Sequence, residues 1–380
     1  MTHIARDVRF GLRMLWKSPG QTAAAVLALG LGIGLTASMF SIVNGTILTG
    51  LPFERSDRLL HVRCSNLAKN EKQLPVFYSD FFDWRARQKS FSGIAAFDAG
   101  TMSLSGDDSR PERIDGAFAS ANTFDLLRVK PLLGRTFRAG DDVWQAEPVV
   151  VLGYGIWKSR YGGDPHIVGK TVRVNGKPST VVGVMPAEFK FPVIEEVWAP
   201  LQLDPAKIKR GEGDGVEVIG RLKDGVTLEK AKAEMSGIAR GIARDFPATN
   251  KGIDAVTEPF TRAYVGDEVS SLLYTMLGAV GFVLLIACAN VASLMMARAS
   301  QRTREVAIRS ALGAGRRRVV AQILVESVLL SALGSLLGVA LASTGLKLFV
   351  AAIAASNPPF WFRITLDPTS LVFVFAITVA

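Results

Sequence analysis

Three kinds of residue spacing in the 380-residue sequence could carry chemistry. Gly169-Lys170-Thr171, closing "GGDPHIVGKT", has the ending of a phosphate loop, where backbone N–H groups cradle phosphates and the lysine reaches their oxygens. That motif needs a glycine at position 164, which is Asp164; Gly163 is one place early, so a helix-to-strand turn is the better reading. No G-x-S-x-G elbow occurs, and no Ser, His and Asp set can be assembled into a triad. His3, His61 and His166 are scattered without metal-ligand spacing, and Cys64 and Cys288 belong to different environments, so no disulfide is expected. What remains is charge: "RASQRTREVAIRSALGAGRRRVVAQ", Arg298 to Gln322, holds seven arginines and one glutamate between two apolar runs.

Projected as a helix from Gln301 to Leu312, Arg302, Glu305 and Arg309 share one face at spacings that allow two ion pairs. Ala307, Ile308 and Ala311 take the other face, interrupted by Arg304, and Gly313 and Gly315 end the helix. Arg316, Arg317 and Arg318 suit a topology signal that touches anionic lipid. A nucleic-acid patch is a poor fit, because the run is pinned to the membrane. A docking helix for a cytoplasmic partner is the third reading, and composition does not choose between it and the topology signal.

The flanking elements fix where this charge lies. Residues 21–49 and 269–297 are each uncharged over 29 positions, longer than the roughly 20 residues that cross a bilayer. A third run, 319–350, carries Gln322 and Glu326 at its start, and Glu326 is expected at the headgroup interface. After a short external loop, 351–368, the stretch 369–380 is expected to begin a fourth span cut short. Residues 1–20 and 298–318 contribute +3 and +6 to the net charge of +10, and the positive-inside rule places both in the cytoplasm. Two spans lie between them, so residues 50–268, with 31 basic and 30 acidic residues over 51–268, are expected outside. In residues 1–20, Ile4, Val8, Leu12 and Leu15 share one helical face, and Arg6, Arg9, Arg13 and Lys17 share the other. This predicts a helix in the headgroup plane, although a surface helix packed on protein has the same pattern.

The large insert reads as α+β. Asn175-Gly176 within "TVRVNGKPSTVVGVM" predicts a hairpin, and 148–152 and 216–222 read as strands. Thr227 can cap a helix whose apolar stripe is Leu228, Ala231, Met235, Ile238, Ile242 and Phe246. Another helix is expected near "YSDFFDWRARQKSF". The aromatics Phe77, Tyr78, Phe81, Phe82, Trp84 and Phe91 are read as core, with a binding groove as the competing reading. The fold class is therefore a membrane protein: a helical transmembrane bundle, three spans plus the start of a fourth, with a large α+β extracytoplasmic domain between spans 1 and 2.

"QRTREVAIRSALGAGRRRVVAQILVES" resembles the cytoplasmic coupling segment of the MacB/FtsX-type permeases of ABC transporters, close to R-T-R-E-I-x-I-R-x-A-L-G-A followed by Q-x-x-x-E-S. Arg302, Thr303, Arg304, Glu305, Ile308, Arg309, Ala311, Leu312, Gly313, Ala314, Gln322, Glu326 and Ser327 match, while Val306 and Ala307 depart. "DGAFASANTFDLLRVKPLLGRTF", "VVVLGYGIWKSRYGGDPHIVGKTVRVNG" and "STVVGVMPAEFKFP" are similar to the MacB-type periplasmic core domain of the duplicated permeases common in acidobacteria. The resemblance implies a non-catalytic permease subunit of the bacterial inner membrane, for export or efflux or for lipoprotein handling, without a cofactor of its own. ATP and magnesium would be held by a cytoplasmic ATP-binding subunit docked on Arg302, Thr303, Arg304, Glu305, Ile308, Arg309, Leu312 and Gly313. It also implies a second permease half or a homodimer partner, and an adaptor or outer-membrane protein as a further partner. An FtsX-like regulator of a periplasmic hydrolase is the alternative, and a membrane-anchored periplasmic enzyme a more distant one. Gly30-x3-Gly34 and Gly334-x3-Gly338 could let spans approach closely.

Overall fold

Pro19 lacks a backbone N–H and has a fixed φ, and so is suited to the first turn of a helix. It opens the first long apolar helix immediately after an amphipathic one. The computed structural model describes residues 2–105, 110–204, 206, 208–301 and 316–379. Helix α1 (Thr2–Lys17) leads into α2 (Pro19–Val43), which a π-helical turn, Asn44–Leu48, prolongs. The inserted domain follows and is made of residues 50–266 together with 357–362.

Its strands are β1 (Leu59–Asn66), β2 (Glu71–Leu74), β3 (Val76–Phe77), β4 (Phe91–Ser105), β5 (Glu112–Ala119) and β6 (Leu133–Gly134). They continue as β7 (Val149–Leu152), β8 (Thr171–Val174), β9 (Lys177–Val184), β10 (Val197–Pro200), β11 (Gly215–Leu222) and β12 (Asp254–Pro259). Its helices are α3 (Tyr78–Arg87), α4 (Thr123–Leu127), α5 (Tyr154–Tyr161), α6 (Leu228–Asp245), α7 (Pro247–Asn250) and α8 (Phe260–Val265). The chain then gives α9 (Asp267–Gln301), α10 (Arg316–Ile353) and α11 (Pro368–Val379).

The strands form one sheet in the order β12-β1-β11-β4-β5-β10-β7-β9-β6, with β2 paired to β1, β3 to β11, and β8 to both β4 and β9. Pairing is antiparallel except β5 with β10 and β7 with β9, which are parallel. The β8–β9 hairpin turns at Asn175 and Gly176, both with positive φ (51° and 77°), as the sequence predicts. Thr227 caps α6 by accepting from the Lys230 N–H, and Ala231, Met235, Ala239 and Ile242 face the core. Phe246 does not join that stripe: α6 stops at Asp245, and the ring is instead covered by the Arg210 guanidinium 3.8 Å from its centroid. Of the aromatic cluster near α3, Phe81, Trp84 and Phe91 are buried in one core with Met235 and Ile242.

In the helical body, Pro19–Leu48, Asp267–Ala297 and Leu324–Ser356 are long and apolar enough to cross a membrane, and Pro368–Val379 is a shorter apolar helix. Around Glu326 the structure supplies protein neighbours. The residue is 7% exposed, because the bundle covers this side of α10 while Leu324 and Val328 on either side stay outside. The stretch 351–368 is also more than a loop: α10 runs to Ile353, and 357–362 belong to the inserted domain.

Candidate functional site

Two arrangements, one in each body, hold neighbouring chain segments in register. In the helical body, α2 and α10 meet backbone to backbone. A Cβ placed on Gly338 would lie 3.1 Å from the Gly30 carbonyl oxygen and from the Gly34 nitrogen, and one on Gly334 would lie 2.7 Å from the Leu29 Cβ. On the next face of α2, Gly32 leaves room for Leu284 and Ala287 of α9, and the Thr36 hydroxyl lies 2.8 Å from the Gly32 oxygen and 3.3 Å from that of Val280. At the far end of α2, Ser41 donates to Ser370 Oγ at 2.9 Å and Asn44 Nδ2 donates to Asp367 at 2.9 Å. Phe40 stacks on Phe373 with centroids 4.1 Å apart. Apolar packing gives such a bundle little directional preference, so these few polar and close contacts set its register.

In the inserted domain, the three chain segments that connect it to the helices converge on one aromatic cluster. Phe53 belongs to the segment after α2, Phe260 and Tyr264 to the segment before α9, and Phe360, Trp361 and Phe362 to the segment after α10. Ring centroids lie 5.8 Å apart for Phe53 and Phe360, and 5.7 Å apart for Trp361 with both Phe260 and Tyr264. Phe189 and Phe191 close the cluster from within the domain, and the Phe360 N–H donates to the Val193 oxygen at 3.0 Å. Arg221, 3% exposed, fastens the first segment: its Nη1 donates to the Glu54 and Arg55 oxygens at 3.2 and 3.0 Å, and its Nε to that of Leu126.

Beside this clasp, His61 Nε2 and Glu217 Oε2 are 2.6 Å apart and Tyr264 Oη donates to the same oxygen at 3.4 Å, on a cleft of about 500 Å³ also lined by Arg63 and Asp98. Burial raises the Glu217 pKa, but the His61 hydrogen bond and charge, aided by Tyr264 and Arg63, outweigh it and leave the carboxyl below its ordinary value of 4.5. Burial first, and then the Glu217 charge, push the Tyr264 phenol well above its usual range. A carboxylate held below its unfolded pKa stabilises the fold above that pKa, and the contribution is lost as pH falls through the folded value. Glu217→Gln is therefore expected to lower stability at pH 7, with the gap to wild type closing at pH 3. Urea unfolding at both pH values measures it, and a gap that persists at pH 3 would show that packing rather than charge is lost.

The predicted docking residues Arg302, Thr303, Arg304, Glu305, Ile308, Arg309, Leu312 and Gly313 lie outside the described residues. Arg316, Arg317 and Arg318 form the first turn of α10, and Arg9, Arg13 and Lys17 are exposed along α1. Leu12 is not on the buried stripe with Leu15; Gly11, Met14 and Leu15 face the bundle, while Leu12 stays exposed. The phosphate-loop look-alike is a turn between α5 and β8, with Gly169 at φ 91° and Lys170 paired with Asp164 at 2.6 Å. Sequence reading missed the clasp, although three aromatics behind two prolines in "NPPFWF" form an unusual interhelical segment.

A bundle with three helices long and apolar enough to cross a membrane, and an α+β domain inserted after the first, is the frame of a membrane protein with a large extramembrane domain. Residues 22–238 match the MacB-like periplasmic core domain and residues 277–380 the FtsX-like permease C-terminal domain. The chain belongs to the MacB/FtsX type of ABC-transporter permease. It is 25% identical over 347 residues to the macrolide export ATP-binding/permease protein MacB of Campylobacter jejuni, covering 89% of this chain and 51% of that protein. It is 28% identical over 191 residues to the uncharacterized ABC transporter permease YknZ of Bacillus subtilis, covering 49% of this chain and 46% of that one. The periplasmic region of MacB from Actinobacillus actinomycetemcomitans superposes with a TM-score of 0.41 at 18% identity, covering 56% of this chain and 92% of that structure. The chain thus spans about half the length of the curated relatives it matches.

Proposed function

We propose that the chain is the permease subunit of an export system of the inner membrane, relaying ATP hydrolysis by a separate cytoplasmic ATPase to a periplasmic domain. The observation that carries this reading is the clasp. The chain passes from helix to domain after Thr49, back before Asp267, and into the domain again at 357–362, and all three passages end in the same aromatic cluster. A shift of any of the attached helices is therefore delivered to one place in the domain. In this reading ATP and magnesium belong to the ATPase, which docks on the segment from Arg302 to Gly313, and the N-terminus is cytoplasmic. A second permease half or a second copy completes the bundle, and a periplasmic adaptor or outer-membrane protein receives the cargo.

Replacing Glu305 and Arg309 by alanine removes both ion pairs available to the docking helix. Loss of at least about tenfold in co-purification with the cognate ATPase, little more than 1.4 kcal/mol, is the expected result. Unchanged co-purification and unchanged ATPase stimulation would leave these residues with the topology role alone.

A further inference from the structure

We infer that α1 is a docking surface for anionic phospholipid headgroups, and that the lipid held there steadies α10. The inference does not depend on the ATPase reading. Around the axis of α1 the residues fall on three sides. Gly11, Met14 and Leu15 are buried against the bundle, and a Cβ on Gly11 would come within 2.7 Å of Leu329 Cδ1 of α10, so the two helices touch closely. Leu12 and Trp16 come next, 44% and 86% exposed. Arg9, Arg13 and Lys17 complete the circuit, all exposed, and among the described residues no carboxylate is paired with any of them.

The order of these sides decides the occupant. An indole exposed to this extent beside a leucine is costly in water and favourable at headgroup depth, where tryptophan is enriched at both membrane interfaces. Cations alongside such an apolar flank then face the layer that holds lipid phosphates. The hinge to α2 is short and fixed: the Thr22 hydroxyl donates to the Leu15 oxygen at 3.0 Å and the Thr22 N–H to the Ser18 oxygen at 3.0 Å. The cations are thereby held at the end of a membrane-crossing helix, and lipid is the neighbour available to them. Each Lys or Arg close to an anionic surface gains roughly fivefold in partition. Because α1 rests on α10, a headgroup bridging these cations also limits the movement of that helix.

The purified full chain is exchanged into nanodiscs containing equal phosphatidylglycerol and phosphatidylcholine, extracted again in detergent, and its retained lipid counted by mass spectrometry. Wild type is expected to retain phosphatidylglycerol in excess and to unfold at a higher temperature when that lipid is added. The Arg9→Gln/Arg13→Gln/Lys17→Gln variant is expected to lose up to about a hundredfold of the excess, and the thermal gain with it, while Arg9→Lys/Arg13→Lys keeps both. If the triple variant does not accumulate, Arg13→Gln alone should lose up to about fivefold. An equal phosphatidylglycerol excess in wild type and the Gln variants, or none in wild type, overturns the proposal.

Discussion

Trp361→Ala is expected to destabilise the inserted domain by about 3 to 5 kcal/mol, the usual cost of emptying a site built around a large aromatic. The indole is 1% exposed and touches Phe260, Tyr264, Phe360 and Phe362, so its removal opens a cavity at the point where two connecting segments meet. Rings held edge to face by their neighbours cannot collapse into the space without losing their own contacts. For a domain of this size each kcal/mol moves the midpoint by about 2 to 4 °C, so a fall of at least about 6 °C is expected in thermal unfolding followed by near-ultraviolet circular dichroism. Trp361→Phe is the control. The indole Nε1 is buried without a hydrogen-bond partner among the described residues, so phenylalanine forfeits volume but no hydrogen bond and should cost well under half as much. If alanine costs no more than phenylalanine, the ring is not a structural anchor, and the clasp loses its central member.

How much of this was legible in the sequence depended on whether the responsible interaction was local. The long helices follow from uncharged runs that no soluble element of that length tolerates, and the β8–β9 hairpin follows from two adjacent residues that accept positive φ. The Thr227 cap is equally local, set by a hydroxyl three residues before the N–H it accepts. Leu12 and Glu326 show the limit of a helical projection, which gives faces but not neighbours. Leu12 lies near Leu15 by angle, yet the protein covers Gly11, Met14 and Leu15 and leaves Leu12 exposed. Glu326 is expected at the interface because charge is expensive in lipid, and the fold adds that protein covers its side chain. The clasp was invisible because Phe53, Tyr264 and Trp361 come from three segments far apart in the chain, each reading alone as a linker. Arg221 is similar: an arginine in a strand reads as solvent-facing, and only the fold brings three carbonyl oxygens around it. The docking segment rests on its pattern and its resemblance, so its test is functional.

Gly338→Val is expected to disrupt the helical body by at least about 1 to 3 kcal/mol, the range for forcing atoms into a filled interior, and toward the upper end here. What a new side chain would meet decides this. At Gly338 the obstacles are the Gly30 oxygen and the Gly34 nitrogen, both backbone atoms of α2 that cannot rotate away, together with the Ile33 Cβ. Relief requires α2 and α10 to separate, which also loosens the Gly334 contact with Leu29 one turn away. Gly281 in α9 supplies the comparison, since nothing lies within 4 Å of a Cβ built there. Gly281→Ala should be neutral or stabilising by up to about 1 kcal/mol, the difference in helix propensity between the two residues. Unfolding of the full chain by titrating dodecyl sulfate into mild detergent, followed by circular dichroism, ranks the two variants. Close packing of α2 on α10 requires Gly338→Val to unfold at clearly lower dodecyl sulfate than wild type while Gly281→Ala does not. Equal midpoints would mean that the seam is loose enough to admit a branched side chain, and that the register of the bundle rests on the Ser41–Ser370 and Asn44–Asp367 hydrogen bonds instead.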